Sequence, residues 1–483
     1  MTVEQVILRT SNLERGTPAF FRPLVPGLRM CLLAGLFCCL LSASLSAAAP
    51  LLQSDGSDLR GGANSSVQPP SLAVHLPAKA GPLPEPLGLD HPRPGFRFRG
   101  IKGWDWTPKQ YLREIPYLAK FKMNFLMNCY LSMFTSKPGQ PWKNEWWKPM
   151  SNARKRAYAK VIRTCRQYGI TFCFAFHPQL GSPRPLDPDS QNDIDQFYRH
   201  YAWAQSQGVH WFSVSMDDVN WKVGGATACA AADARFVNVI FVRLRAKDPR
   251  AQLIFCPGPY WGDGTDPQAR AYLQTLARNL ASDVYIFWTG DAVVTPRITL
   301  KAAASYKSIV RHRLFLWDNY PVNDARQTLN LGPVRGREPG LCNVIDGYIS
   351  NPMMSQDEIN RLPMATCADY AYNPWAYQPA RSIGEAILHL AETPAQRQTL
   401  KKLVEAYPGF LVSGGGTGTN PARMKLRSLV GNKTSHSSAE RFLHHLQDID
   451  VRLAKEFPSR YVAARKTVES DIAWMAQQLS KQQ

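Results

Sequence analysis

The sequence lacks the residue spacings that mark metal-binding modules. Its 10 Cys and 10 His include no CxxC pair and no Cys/His cluster, which argues against zinc fingers and related modules. We therefore predict neither a metal ion nor a cofactor. Seven of the cysteines lie beyond the N-terminal apolar segment described below. Because seven is odd, at least one thiol is expected to be unpaired.

Acidic residues are scarce relative to basic ones. The 57 Lys and Arg outnumber the 37 Asp and Glu, which gives the 483 residues a formal net charge of +20. Such a charge favours an acidic partner, such as an anionic polysaccharide held by a basic surface, or a membrane surface. The chain has no Lys/Arg-rich block with interleaved aromatic residues and no RNA-binding signature, so we predict no nucleic-acid partner.

Residues 1–49 are predicted to be a targeting segment. Two arginines precede an apolar run over residues 30–49 that ends in small residues, which is the order typical of a secretory signal peptide. We predict cleavage at Ala47 to Ala49 and a secreted or extracytoplasmic protein. The alternative is a single-pass membrane anchor at residues 30–49. Residues 50–95 are rich in Pro, Gly, Ser and Ala, which predicts a flexible linker.

From residue 96 onward, short apolar runs alternate with longer amphipathic stretches. Eight runs predict strands, at residues 96–101, 124–131, 171–177, 211–216, 252–256, 284–288, 314–317 and 343–349. Eight strands, each followed by a crossover, predict an α/β fold of the (β/α)8 or TIM-barrel type over residues 96–375. The alternative fold is a doubly wound open sheet, but no glycine-rich phosphate loop follows the first predicted strand.

Helix signals fill the intervening segments and the C-terminal part. Residues 108–120 begin with Pro108 after Thr107, and residues 151–168 end before Gly169, as helix starts and stops commonly do. Residues 376–483 contain further amphipathic stretches, at 380–392, 394–406, 438–454 and 460–479. We predict a helical C-terminal domain there, packed on the barrel.

Two adjacent aspartates, Asp217 and Asp218, end the fourth predicted strand. Like charges side by side repel, and each must be solvated or given a partner. An active site is the usual place for such a pair, because one carboxylate can stay ionised while its neighbour keeps a proton. The structural alternative is a helix N-cap followed by a first-turn acid.

Polar and aromatic side chains also follow the other predicted strands. They occur at Gly103 to Asp105, Pro257 to Tyr260, Trp288 to Gly290, Trp317 to Asp324 and Ser350 to Pro352. The C-terminal ends of barrel strands meet at one mouth. Rings to stack on, and amides and acids to pair with hydroxyls, predict a carbohydrate site at that mouth. Each residue alone has a structural alternative, such as core packing or turn capping.

Five motifs together resemble those of glycoside hydrolase family 84, the β-N-acetylglucosaminidases that include the O-GlcNAcases. They are Ser215 to Val219, Phe287 to Gly290, Trp317 to Asp324, Asn351 to Met353 and Ala368 to Tyr370. The resemblance implies a retaining hydrolase that removes terminal N-acetylglucosamine from glycans or glycoconjugates. In that family the sugar's own acetamido oxygen attacks the anomeric carbon, an exception to the scheme of two enzyme carboxylates.

The resemblance also implies roles for individual residues. Asp217 is expected to hold and polarise the acetamido N–H, and Asp218 to act as the acid and base. The substrate-binding set is Tyr260, Trp288, Trp317 and Asn319 on the acetamido side, Asp324 and Asn351 at sugar hydroxyls, and the carbonyl of Gly103.

The sequence departs from the family pattern at several of these positions. Lys102-Gly-Trp-Asp105 stands where the family has Glu-Gly-Phe-Tyr-Gly, and Leu131 occupies the place of a substrate-binding lysine. Asp318 replaces the usual aromatic residue, and Asp291 replaces a proline. Two other functions therefore stay open. One is an endo-acting, hyaluronidase-like enzyme, and the other is a carbohydrate-binding pseudoenzyme that holds acidic polysaccharide.

Overall fold

Eight parallel strands close into a barrel in sequence order, β1 pairing with β8. In this computed structural model the described residues are Leu72, Val74, 95–133, 143–324, 326, 328–356, 358–430 and 436–481. The strands are β1 Phe98–Ile101, β2 Phe125–Met127, β3 Thr171–Phe176, β4 Trp211–Ser215, β5 Gln252–Cys256, β6 Tyr285–Trp288, β7 Leu314–Pro321 and β8 Ile345–Asn351. The TIM-barrel prediction is confirmed.

Helices alternate with the strands and then continue alone. Those within the barrel are α1 Pro108–Lys120, α2 Asn152–Gln167, α3 Gln191–Ser206, α4 Ala226–Lys247, α5 Pro267–Asn279, α6 Leu300–Val310 and α7 Arg361–Tyr372. The C-terminal set is α8 Pro379–Leu390, α9 Pro394–Ala406, α10 Phe410–Ser413, α11 Pro421–Val430, α12 His436–Glu456 and α13 Val462–Ser480. Two short 3-10 helices, Tyr130–Met133 and Pro339–Asn343, follow β2 and precede β8.

The side chains of each strand alternate between the barrel interior and the layer under the helices. In β6, Tyr285 and Phe287 belong to the interior cluster, whereas Ile286 and Trp288 pack outward against the helices. This period of two is the normal consequence of the strand pleat. It decides which residues at a strand end can reach the mouth.

Aromatic rings fill the lower part of the barrel. The ring of Phe98 stacks on that of Phe315 with centroids 5.4 Å apart, and Trp211 meets Phe98 edge-on at 4.6 Å. Gly347 of β8 leaves room for this layer, because a Cβ there would lie 2.1 Å from the ring of Phe315. The barrel is therefore a packed core with its open space confined to the mouth.

The C-terminal helices are tied together by the buried carboxylate of Asp471 on α13. Asp471 accepts hydrogen bonds from the Tyr407 hydroxyl at 3.0 Å, from Asn420 Nδ2 at 2.8 Å and from Arg423 Nε at 2.6 Å. Three charge-assisted bonds offset the cost of burying the charge. They also fix the segment that connects α10 with α11, which matters for the site described below.

Most of the predicted N-terminal segments cannot be compared with the structure. Residues 1–71, which include the predicted targeting segment, lie outside the described residues. Within the predicted linker, Leu72 and Val74 are buried, and the Val74 amide donates to Glu405 Oε1 at 3.3 Å. In the part of the chain that the structure describes, no helix has the length and apolar character needed to cross a membrane.

Candidate functional site

The two aspartates lie where β4 ends at the mouth of the barrel. The amide of Met216 still donates to the Cys256 carbonyl of β5 at 2.8 Å, so the strand pairing continues to the residue before Asp217. Asp217 is buried, whereas Asp218 reaches the surface of the mouth. The backbone of Asp218 is left-handed, with φ of 58°, a conformation that Asp tolerates better than most residues. This turn separates the two carboxyl groups into different surroundings.

Asp217 is held by residues from two neighbouring strands. The Tyr130 hydroxyl donates to Asp217 Oδ2 at 2.5 Å. Nε2 of His177 donates to the Asp217 main-chain carbonyl at 2.8 Å and lies 3.7 Å from Oδ1. Oδ1 itself receives no hydrogen bond of normal geometry from the described residues. One oxygen of the carboxylate is thus anchored and the other remains able to accept a bond from a ligand.

His177 is locked as a neutral imidazole. Its Nδ1 accepts the amides of Gln179 and Leu180 at 3.1 and 3.0 Å, so the ring proton must be on Nε2, which faces Asp217. Burial lowers the pKa of His177, and the ring meets that of Tyr130 edge-on at 5.0 Å. The residue therefore positions the end of β4 and does not exchange protons there.

Asp218 has the surroundings of a proton donor. Burial in the mouth, followed by the charge of Asp217, raises the pKa of Asp218 to about 6. Although its surface is accessible, protein atoms surround it closely enough to remove much of its hydration. The Tyr260 hydroxyl donates to Asp218 Oδ1 at 2.9 Å, and the pKa of Tyr260 is raised by burial, so the phenol stays a donor. Asp218 can therefore give and regain a proton near neutral pH.

Lys102 places a cation in the same cavity. It follows β1, is completely buried, and its Nζ has no hydrogen-bond partner among the described residues. Nζ lies 3.6 Å from the ring centroid of Trp317, 4.3 Å from that of Tyr130 and 5.1 Å from that of Trp104. Burial lowers the pKa of Lys102, and the charges of Asp217 and Asp218 act against that shift. The three ring faces supply part of the stabilisation that water would otherwise give.

The ends of β7 and β8 contribute an indole and a pair of amides. Trp317 points into the barrel, packs edge-on against Phe287 at 5.5 Å, and its Nε1 has no partner among the described residues. Asn351 Nδ2 donates to Asn319 Oδ1 at 2.9 Å, and Asn319 Nδ2 donates to the Val293 carbonyl at 2.7 Å. The structure thus brings Trp317, Asn319 and Asn351 to the mouth.

Asp324 is exposed at the rim and is contacted by the C-terminal part of the chain. The hydroxyl of Thr417 donates to Asp324 Oδ2. Asn330 Nδ2 donates to the Thr417 carbonyl at 3.3 Å, and Thr328 Oγ1 donates to the Thr419 carbonyl at 3.2 Å. The charge of Asp324 also raises the pKa of Asp218 slightly, which places both acids in one electrostatic environment. The segment between α10 and α11 therefore forms part of the mouth.

Gly103, which follows β1, has a left-handed backbone conformation. Its φ is 76°, and a Cβ there would lie 2.6 Å from the indole of Trp106. Only glycine fits such a position without strain. Its carbonyl accepts the Trp106 amide at 3.2 Å and the Tyr111 hydroxyl at 3.5 Å, so both of its acceptor positions have protein donors.

Trp288 lies apart from the side chains described above, in the layer under the helices. Its indole is fully buried, Nε1 donates to the Gly262 carbonyl at 2.8 Å, and the ring packs on Tyr306 at 5.8 Å. The residue occupies an outward position of β6, so the pleat directs it under the helices. The prediction that Trp288 binds the substrate depends only on its position in the motif Phe287 to Gly290.

Four residues that contact the predicted site lie outside the set that the sequence predicts. Tyr130 and His177 follow β2 and β3, and their positions after buried strands were a usable signal. Lys102 was noted only as a departure from the family pattern. Thr417 carried no signal, because it reaches Asp324 from 93 residues further along the chain. Among the described residues, no group of three or more His, Cys, Asp or Glu is arranged to hold a metal ion.

Comparisons with known proteins agree with the barrel fold. A protein-family model for β-N-acetylglucosaminidases matches residues 99–405, more than half of the chain. A mutant of the Thermobaculum terrenum O-GlcNAc hydrolase is similar in structure, with a TM-score of 0.65 and 22% identity, covering 79% of this chain and 82% of that one. CpGH84B is also similar, with a TM-score of 0.62 and 18% identity, covering 80% of this chain and 68% of that one. At these identities the two structures support the fold alone.

Proposed function

Because the chain belongs to the β-N-acetylglucosaminidases of glycoside hydrolase family 84, and is therefore a glycoside hydrolase, we propose that it removes terminal N-acetylglucosamine with retention of configuration. We further propose that the substrate's own acetamido group is the nucleophile. The observation that carries the proposal is that the two acids have different surroundings. Asp217 is buried, with Tyr130 bound to Oδ2 and no donor on Oδ1 among the described residues, whereas the pKa of Asp218 on the rim is raised to about 6.

In the first step, Asp217 Oδ1 accepts the acetamido N–H and orients the group. The acetamido oxygen then bonds to the anomeric carbon while the glycosidic bond breaks. The departing oxygen takes the proton of Asp218, and an oxazoline results. The carboxylate of Asp217 stabilises the positive charge that develops on the acetamido nitrogen. Tyr130 holds that carboxylate in place, and His177 holds the main-chain carbonyl of the same residue.

In the second step, water replaces the departed group. Asp218 is now a carboxylate and takes a proton from the water. The water oxygen bonds to the anomeric carbon as the oxazoline ring opens. The acid is thereby restored, and two inversions give net retention. Trp317 walls the acetamido side in this proposal. Asn319 also contacts the acetamido side. Asp324 binds the O4 and O6 hydroxyls, Asn351 binds another hydroxyl, and the carbonyl of Gly103 contacts the sugar.

Aryl glycosides that differ in leaving group test the division between the two acids. Asp218→Asn should nearly abolish turnover of a substrate with a poor leaving group and spare one with an activated aryl group, because only the former needs protonation. Asp217→Asn should damage both. Asp346→Asn is the matched control, because Asp346 lies near the start of β8, at the far end of the barrel, beside Arg313.

A substrate that lacks the acetamido group tests the nucleophile. The wild-type enzyme should hydrolyse an aryl β-N-acetylglucosaminide and leave the corresponding β-glucoside, with a 2-hydroxyl, essentially intact. Equal turnover of the two would disprove the substrate-assisted route. The assignment of the chain as a glycoside hydrolase would be unaffected by that result.

We also propose export of the protein and a two-part organisation, with residues 96–375 as the barrel and 376–483 as the helical part. The support for export is the order of arginines, apolar run and small residues at 22–49. N-terminal sequencing of protein recovered outside the producing cells should begin at or just after Ala47 to Ala49. Recovery in the membrane fraction with residues 30–49 intact would instead support the anchor.

A further inference from the structure

Three neighbouring loops at the mouth carry exposed apolar side chains. Val223 follows β4, Trp261 follows β5 and Val293 follows β6, and their exposed fractions are 70%, 42% and 39%. Because these three strands are neighbours in the barrel, the loops form one side of the mouth. Tryptophan is usually well buried, and exposed apolar residues grouped beside a site indicate a binding surface.

This side of the mouth is the one that Asp218 faces. The hydroxyl of Tyr260, the residue before Trp261, donates to Asp218 Oδ1 at 2.9 Å. The carboxylate of Asp217 is bonded instead by Tyr130, which follows β2. In the proposed mechanism the glycosidic oxygen takes its proton from Asp218. The leaving group therefore extends from Asp218 towards the loops after β5 and β6.

The backbone on both sides of Trp261 is fixed to the end of β6. The Tyr260 carbonyl accepts an amide from the residue after β6 at 3.0 Å, and the Gly262 amide donates to the Gly290 carbonyl at 2.8 Å. The buried indole of Trp288 donates to the Gly262 carbonyl at 2.8 Å. The exposed ring is thus carried by an ordered backbone, which lowers the entropy that binding a ligand would cost.

The loops on this side are acidic, although the chain as a whole is basic. Residues 218–225, 257–266 and 289–299 contain four aspartates and two basic residues, whereas the whole chain has 57 basic and 37 acidic residues. The sign of the charge is therefore reversed around the leaving-group side of the mouth. Such a reversal disfavours an anionic group there.

Two of these aspartates lie beside Trp261. Asp263 is two residues further along the chain, and Asp291 follows Gly290, whose carbonyl accepts the Gly262 amide. Burial, followed by the charge of Asp263, raises the pKa of Asp291, so the two carboxylates are near each other. Carboxylates accept hydrogen bonds from hydroxyls and repel other anions. A neutral group with several hydroxyls therefore suits this surface better than an anion.

We propose that Trp261 is the platform on which the leaving group stacks, and that this group is a neutral sugar ring. The natural substrate is then a glycan in which the terminal N-acetylglucosamine is linked to an uncharged sugar. The proposal rests on the proposed function, because Asp218 defines the side on which the leaving group departs. An indole and a pyranose ring can bury their apolar faces against each other. A glycosylated serine has no ring of its own beside the bond that is cleaved.

Three substrates with alkyl leaving groups test this proposal on the full chain. They are the methyl β-glycoside of N-acetylglucosamine, a disaccharide with N-acetylglucosamine β-linked to O4 of a methyl glucoside, and an uncharged peptide with N-acetylglucosamine on serine. All three leaving groups need the proton of Asp218, so differences in kcat/KM report contacts with the leaving group. We expect the disaccharide to exceed each of the others about tenfold or more, as for a central tryptophan of a binding surface.

Substitution of Trp261 locates the effect. Trp261→Ala should lower the ratio of disaccharide to methyl glycoside kcat/KM about tenfold, and Trp261→Phe should keep part of it because a smaller ring remains. Trp375→Ala is the matched control and should keep the wild-type ratio. Trp375 is 60% exposed and follows α7, whose end lies beside the start of β1 at the opposite end of the barrel. A ratio that Trp261→Ala leaves unchanged refutes the platform.

A second disaccharide tests the charge of the leaving group. It has glucuronic acid in place of glucose and so differs from the first mainly in its carboxylate. It should be cleaved several-fold more slowly than the neutral disaccharide. Both Asp291→Asn and added salt should narrow the difference. Equal or faster cleavage of the acidic disaccharide by the wild type would refute the neutral sugar.

The outcomes separate this inference from the proposed function. If the methyl glycoside is hydrolysed and the disaccharide is no better, the platform is refuted and the proposed function stands. If the peptide is preferred and Trp261→Ala removes that preference, the leaving group is a peptide and the sugar is refuted. If no substrate is hydrolysed, the proposed function fails. Calorimetric titration of wild type and Trp261→Ala with the sulfur-linked neutral disaccharide then decides the platform alone, and equal affinities refute it.

Discussion

The Tyr130 hydroxyl donates to Asp217 Oδ2 at 2.5 Å, so a residue that follows β2 fixes a carboxylate that follows β4. The bond is charge-assisted and fully buried, the setting in which such bonds are strongest. It leaves Oδ1 without a hydrogen-bond donor among the described residues. The rigidity of the acid pair therefore depends on a phenol outside the recognised motifs.

Tyr130→Phe should lower kcat/KM for an aryl N-acetyl-β-glucosaminide by about tenfold to a hundredfold, because a hydrogen bond to a charged group contributes about 1.5–3 kcal/mol. Steady-state kinetics at constant pH would measure this. Tyr198→Phe is the control, since the Tyr198 hydroxyl bonds to Gln205 and the Arg243 carbonyl in the outer helix layer. A loss equal to that of the control would contradict the role given to Tyr130.

Lys102→Met should move the basic limb of the pH–rate profile to higher pH. The groups that set the pKa of Asp218 are Asp217, Tyr260, Lys102 and Asp324, and the Lys102 charge lowers it. Asp218 must be protonated to act as the acid, so activity falls as pH rises through a pKa of about 6. Removing the cation raises the pKa of Asp218, so the enzyme stays active to higher pH.

The pH–rate profile of kcat/KM on a substrate with a poor leaving group measures this shift, because that substrate needs the acid. Thermal unfolding serves as the control. Replacing a buried, unpaired ammonium by a methionine of similar shape should not destabilise the fold. A basic limb that stays in place in a stable variant would show that Lys102 carries no charge that Asp218 senses.

Much of the architecture was predictable because periodicity is a local property. The barrel, the family resemblance and the glycosidase class are confirmed, and predicted and observed bounds coincide for Gln252–Cys256, Pro108–Lys120 and Pro394–Ala406. The fourth strand was placed within one residue, so Asp217 and Asp218 fell at the mouth as expected. Strand ends in a parallel barrel share one edge, which makes such reasoning effective.

The features that could not be predicted depend on which side of a strand a residue faces and on contacts between residues far apart in sequence. Trp288 ends its strand next to Phe287, and only the pleat decides which of them faces the interior. Lys102 is a buried cation, which hydropathy alone would place in solvent. Thr417 meets Asp324 through the packing of the C-terminal helices on the barrel. No pattern within a strand or helix encodes that contact.

Two substitutions at His177 should separate its two functions. Gln can place a donor where Nε2 lies, and Asn can place an acceptor where Nδ1 lies. His177→Gln should therefore keep the bond to the Asp217 carbonyl, and His177→Asn the bonds to the Gln179 and Leu180 amides. We expect the Gln variant to retain a kcat several-fold higher than the Asn variant at similar KM. Equal kcat values in two folded variants would mean that His177 only supports its own loop.

Glu114→Gln should destabilise the fold strongly. Glu114 on α1 is completely buried and receives Arg361 Nε at 2.8 Å and Nη2 at 2.9 Å, while the guanidinium lies 3.5 Å from the ring centroid of Tyr117. Neutralising Glu114 leaves the buried guanidinium of Arg361 with Glu358, 4.0 Å away, as its remaining carboxylate neighbour. We expect the free energy of unfolding to fall by about 3–5 kcal/mol.

Denaturant unfolding of three variants would test the argument about Glu114. Asp189→Asn breaks the exposed pair with Arg235, and it should leave the free energy of unfolding almost unchanged. The double variant Glu114→Leu/Arg361→Met should be less destabilised than Glu114→Gln, because it removes both charges together. A single variant no less stable than the double one would show that the Arg361 charge is solvated, and that this contact between α1 and α7 rests on packing alone.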